Sequence, residues 1–174
     1  MNRIALAVLL PLLASACVFP NQSGHDPIDL GKRKQLLDSV KALAGTWEMK
    51  NAKGEVQVTE FKVSSGGSIV RETMFPGGPE EMTNIYRLEG NDLALTHYCA
   101  MGNQPELRAT SLIGNQLVFV GLGAADKKSA DEMWMGGLTL EFTDKDHMTE
   151  HWSSFVKHEM QKDGSVSMAF TRRK

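Results

Sequence analysis

The apolar and polar positions of this chain change their period once. Between residues 31 and 44, Leu36, Leu37, Val40, Leu43 and Ala44 recur at helical spacing, and Lys32, Arg33, Lys34, Asp38 and Lys41 fill the opposite face. This predicts one amphipathic helix, stopped by Gly45. From Thr46 onward the period is that of strands, in short runs separated by turn residues. The runs are 46–50, 55–64, 68–75, 82–89, 92–100, 106–113, 116–122, 132–143, 147–156 and 165–173. Gly90-Asn91 and Gly114-Asn115 read as hairpin turns, and Lys162-Asp163-Gly164 as the turn before the last strand. An all-β domain of about ten antiparallel strands with one N-terminal helix suits a closed up-and-down barrel.

Alternation along each strand then predicts what lies inside. If Val70, Met74, Tyr86, Leu95 and Trp152 face the lumen, the same parity places Glu72, Asn84, His97 and Glu150 there. Each of those polar groups needs a partner or a ligand. Glu72, Asn84, Tyr86, His97, Glu150 and Trp152 are therefore the expected ligand-binding set. A polar network that merely fixes strand register is the other reading of the same residues. Met74, Met82, Met133, Met135, Met148 and Met168 supply adaptable walls or ordinary core. Val56 and Val58 lie on one parity but Phe61 and Val63 on the other, which predicts a bulge near Thr59 and Glu60.

Two further constellations carry chemistry. His97-Tyr98-Cys99, with Asn103, Gln104 and Arg108 beyond it, reads either as the polar end of a pocket or as a buried thiol beside a hydrogen-bonded core imidazole. On a strand His97 and Cys99 are ~7 Å apart, too far for a thiolate–imidazolium pair. His147-Met148-Thr149-Glu150-His151 matches the H-x-x-E-H zinc signature, which works on a helix. Turn residues on both sides of it predict a strand instead, where the histidines stand ~13 Å apart. No metal site is expected.

The N-terminus contributes a separate reading. Arg3 precedes an apolar run over residues 4–13, interrupted by Pro11, and Ala14, Ser15 and Ala16 stand before Cys17. This pattern predicts a secretion signal over residues 1–16, too short to be retained as a membrane-spanning helix. Ala14-Ser15-Ala16 fits ordinary signal peptidase, which would free a soluble periplasmic or secreted domain. Leu13-Ala14-Ser15-Ala16-Cys17 resembles a bacterial lipobox, which would make Cys17 a lipid anchor and the protein a membrane-held lipoprotein of the cell envelope. Residues 17–30, with Pro20, Asn21, Gln22, Ser23 and Gly24, then read as lipidated cysteine and tether, and residues 31–174 as the domain. The formal net charge of −2 argues against nucleic acid as a partner. With Cys17 acylated, Cys99 stands alone, so the fold does not rest on disulfides.

A helix followed by Gly45-Thr46-Trp47 and a meander ending on a strand with Arg172 resembles the lipocalin and calycin superfamily. The resemblance implies that Trp47 closes one end of the barrel and that Arg172, or failing it Arg173, packs over its ring. Phe75-Pro76-Gly77 and residues 96–105 further resemble a family of uncharacterised bacterial lipocalin-like domains with an H-Y-C-A-x-G-N-Q-P signature. That family implies the same barrel and no established activity. The Gly-rich first hairpin and tyrosine-proline step of the related heme-binding barrels are absent after Trp47, so no cofactor is expected. The expected function is binding of a small, largely apolar molecule in the lumen. The alternatives are an enzyme, a hydrolase or isomerase, that uses Glu72, His97 and Glu150, or a structural envelope module.

Overall fold

A computed structural model describes residues 26–174; the predicted signal, Cys17 and most of the tether lie outside the described residues. One helix, α1 (Leu30–Lys41), leads into eleven strands. These are β1 (Gly45–Lys50), β2 (Val56–Ser64), β3 (Ile69–Met74), β4 (Met82–Glu89), β5 (Asp92–Tyr98), β6 (Gln104–Ala109), β7 (Leu112–Ile113), β8 (Gln116–Ala125), β9 (Trp134–Phe142), β10 (His147–Val156) and β11 (Glu159–Arg172). All neighbours pair antiparallel in the order β6-β5-β4-β3-β2-β1-β11-β10-β9-β8, and β6 pairs with β8 to close the ring. The two-residue β7 is an appendage on β8 outside that ring. The chain is thus a closed, lipocalin-like barrel of ten strands with one N-terminal helix.

The helix seals one end. Asp29 caps it by accepting from the Lys32 amide at 2.9 Å, and Leu36, Leu37 and Val40 point into the barrel mouth, where Leu43 joins them in the core. Its N-terminus is tied to the β4–β5 hairpin: Asn91 accepts from the Asp29 amide and donates to the Pro27 carbonyl, and Lys32 pairs with Asp92. The helix ends at Lys41, earlier than its apolar spacing predicts, and Ala44 is exposed. The last turn tightens there, with Leu43 N–H bonding to Val40 and Ala44 N–H to Lys41, because the chain must reverse into β1.

Trp47 and Arg172 hold that reversal. They are direct cross-strand partners of β1 and β11, and the guanidinium lies 4.2 Å from the indole centroid. Trp47 is fully buried and donates to the Leu43 carbonyl at 2.7 Å. Arg172 donates to the carbonyls of Ala42, Ala44 and Lys145, so one side chain satisfies orphan carbonyls at the helix end and joins them to the last strand. Gly45 fits the corner because side chains rarely adopt its φ of 131°, and a Cβ there would crowd the Arg172 guanidinium at 3.1 Å.

Two local expectations are corrected. The bulge at Thr59 and Glu60 does not exist: β2 runs in unbroken register with both β1 and β3. Val56, Val58 and Val63 lie at least partly open to solvent, and the inner position falls to Thr59, a polar residue fully buried. The turn before the last strand is at Lys157-His158, both with positive φ, and not at Lys162-Asp163-Gly164, which lies within β11. Gly164 serves packing there, since a Cβ would stand 1.7 Å from the Ser154 hydroxyl.

Arg172→Met is expected to cost about 2–3 kcal/mol in urea unfolding, from lost charged hydrogen bonds and the cation–π contact. Arg173→Met removes only an exposed pair with Glu48 and is expected to cost under about 1 kcal/mol. Equal losses would show that Arg172 is not the closing residue.

Candidate ligand-binding site

The six lumen residues singled out from parity belong to one continuous cluster. Glu72, Asn84 and His97 are successive cross-strand partners on β3, β4 and β5, so register alone places them in a single row. Trp152 and Glu150 reach them from β10 on another part of the wall. Glu72 is the hub. Its Oε1 accepts from the Thr59 hydroxyl at 2.8 Å, and its Oε2 accepts from Asn84 Nδ2 and the Tyr86 hydroxyl, each at 2.8 Å. Because Asn84 uses its amide N–H on Glu72, its Oδ1 is left to accept from His97 Nδ1–H at 2.7 Å. The His97 ring packs on Trp152, with centroids 4.9 Å apart, and the Trp152 indole donates to Glu150 Oε2 at 2.9 Å.

The electrostatics follow from burial. Glu150 is fully buried, and desolvation, then the Glu72 charge, then a hydrogen bond to Glu72 hold its carboxyl well above the ordinary range. The Trp152 N–H opposes this only in part. Burial therefore favours the protonated form of Glu150, beside the Glu72 carboxyl that accepts from Thr59, Asn84 and Tyr86. Tyr86 is pushed well up, first by burial and then by the charges of Glu72 and Glu150, and stays a hydroxyl donor. Burial takes His97 down to about 4, leaving a neutral imidazole with Nε2 unprotonated.

At the end remote from α1 the barrel is not filled. A cavity of about 640 Å³ opens there, within the size range of small-molecule sites. Its wall includes Met49, Met74, Met82, Met135 and Met168, with Phe75 and Cys99, and its rim carries Lys50, Asn51, Gln57 and Glu80. Of the six expected residues only His97 and Trp152 line it. Glu72, Asn84, Tyr86 and Glu150 lie beneath, sealed from the cavity in the network that supports His97. An acid–base site built from Glu72, His97 and Glu150 would therefore present one group, not three, to a bound molecule.

Two residues of the site are not legible in the sequence: Thr59, where the parity conflict of the flanking valines imitates a bulge, and Met49, in a strand too short to alternate visibly. The H-x-x-E-H stretch lies on a strand, as its flanking turn residues predict, and is split between two faces: Glu150 points in, while His147 and His151 lie outside against Asp144 and Ser167. Cys99 is a free thiol just past the end of β5, on the cavity wall. No protein-family model and no curated protein matches the chain.

Opposite pH limbs follow from the two shifted groups. His97 is neutral in the fold but protonates in the unfolded chain below about 6.5, so stability falls as pH drops from there toward 4, by roughly 3 kcal/mol. Glu150 is protonated in the fold but ionises in the unfolded chain above 4.5, so stability also falls as pH rises past that value. Glu150→Gln keeps an acceptor for Trp152 and a donor for Glu72 without the titration. It is expected to flatten the high-pH limb in urea titrations and to exceed the native protein in stability at pH 8, and an unchanged limb would place the shared proton elsewhere.

Proposed function

We propose that this protein is an exported binding protein that holds a small, largely apolar molecule in the open end of its barrel. The observation that carries this reading is the cavity itself, methionine-walled and set against His97, whose Nε2 has no partner. A barrel that served only as a structural module would gain by closing that space, since apolar wall left open to water forgoes about 25 cal/mol per Å² of burial. Methionine side chains suit a guest of variable shape, being unbranched and polarizable. The network under His97 is rigid and fully enclosed, which gives the floor a fixed orientation while the walls adapt.

Export and anchoring belong to the same proposal. The signal over residues 1–16 would be removed, Cys17 would carry lipid, and residues 17–30 would tether the barrel at a membrane surface in the envelope. An apolar guest partitions into that surface, so a tether places the barrel where its ligand is concentrated. The resemblance to lipocalin-like domains supports the same reading at the level of fold.

Titration of the purified chain with a neutral lipophilic fluorophore such as 1-aminoanthracene tests the cavity. Saturable binding with a one-to-one end point is expected, together with a raised melting midpoint. Met168→Trp, which fills the cavity from β11, is expected to weaken binding about tenfold or more while the barrel stays folded. Binding that is absent, or indifferent to this substitution, would remove the cavity as the site. Mass spectrometry of the protein extracted from membranes is expected to show Cys17 at the N-terminus bearing acyl mass, and an unmodified Cys17 would leave a soluble exported barrel.

A further inference from the structure

Three donors near the His97 ring, on Asn84, Tyr86 and Trp152, are already committed. Asn84 Nδ2 and the Tyr86 hydroxyl donate to Glu72, and the Trp152 indole N–H donates to Glu150. The ring's own Nδ1–H is given to Asn84 Oδ1. Nε2 is left as a lone pair with no partner, on a residue only 2 % exposed that lines the cavity. A buried acceptor without a donor is costly, and a guest with an N–H or O–H removes that cost.

The charge around this point sets a second condition. Behind the imidazole, across Asn84, lies Glu72, a carboxyl that accepts from Thr59, Asn84 and Tyr86, with Glu150 on the far side of the same cluster. Among the described residues Lys50 is the one lysine or arginine lining the cavity, and it is exposed on the rim, which also carries the acid Glu80. A carboxylate head brought to His97 would set acceptor against acceptor and add negative charge in a poorly solvated space. An ester or alkane would leave Nε2 as it is.

We propose that the cavity selects uncharged amphiphiles with a hydrogen-bond donor head, an alcohol or phenol on an apolar body, and rejects fatty carboxylates of the same length. This rests on the reading of the cavity as a ligand site. The hydroxyl donates to His97 Nε2 at the floor, and the apolar body runs between Met74, Met82, Met135, Met168 and Trp152 toward the rim. His97 is thus the specificity-determining residue, and Asn84, which fixes the tautomer by taking Nδ1–H, is a positioning residue.

The test compares three probes of one chain length on the intact protein at neutral pH: 1-decanol, decanoate and methyl decanoate. Dissociation constants come from tryptophan fluorescence, with Trp152 in the cavity wall as reporter, and from displacement of 1-aminoanthracene. Decanol is expected to bind about tenfold or more tighter than either competitor. His97→Gln, whose amide offers a donor as well as an acceptor, is expected to bring decanol and decanoate within about threefold of each other. Decanoate or methyl decanoate binding as tightly as decanol to the native protein would overturn the selectivity and leave the binding reading standing. Failure of all three probes and of 1-aminoanthracene to bind would overturn both. Should His97→Gln not fold, the ranking of the three probes on the native protein decides alone.

Discussion

A carboxylate inside a closed barrel loses its hydration shell, and the loss is far larger than any single contact can offset unless donors take the place of water. Glu72 sits in that position on β3, fully buried, and three other strands contribute to the solution. Thr59 from β2, Asn84 and Tyr86 from β4 and the proton of Glu150 from β10 all converge on it. A second acid so close cannot also ionise, and burial adds to the same effect, so Glu150 keeps its proton. The two acids are best understood as one unit with a shared charge state, whose geometry fixes the register of the surrounding strands. A one-residue slip of β3, β4 or β10 would turn one of its members out of the lumen and leave the others unpartnered.

This unit divides the barrel. On the side toward α1 the lumen is packed with apolar groups, among them Phe61, Tyr86, Leu95, Leu107 and Phe119, and is closed by Leu36, Leu37 and Val40. Tyr86 bridges the two halves: its ring packs against Phe61 and Phe119 while its hydroxyl serves Glu72. On the other side the packing stops at His97 and Trp152 and the cavity begins. Rigidity is thus concentrated at the helix end, with Arg172 clasping three carbonyls and the Trp47 ring, and adaptability at the open end among methionines. A binding protein benefits from that division, because the single polar contact with a guest is held by a preorganised imidazole while the apolar contacts conform.

His97 gains its character from what lies behind it. An imidazole in water exchanges tautomers and takes a proton near neutrality. Here Asn84 dictates which nitrogen carries hydrogen, Glu72 dictates which way Asn84 faces, and burial on the Trp152 ring keeps the second proton off. The order of dependence runs from the acid pair through the amide to the ring, so the chemistry offered to the cavity is a property of the network and not of the residue alone.

How much of this was legible before folding differs by level. The change of period at Gly45 revealed one helix and a run of strands, since side-chain periodicity is a local property of the backbone. Parity within each strand put Glu72, Asn84, Tyr86, His97, Glu150 and Trp152 inside together, because two faces of a strand admit only two assignments. Parity failed at Thr59, where exposed valines imitated a core face, and turn composition failed at Gly164, a glycine within β11 that serves close packing against Ser154. What the sequence by itself determined was therefore the class of fold and which residues face inward. Only the tertiary structure decided that Glu72, Asn84 and His97 fall in one row, that Glu150 meets Glu72 across the lumen, and that the cavity ends at His97 with four of the six residues beneath it. Those facts depend on inter-strand register and barrel closure, which join residues as far apart in sequence as Trp47 and Arg172, and no local pattern encodes a distance across a lumen.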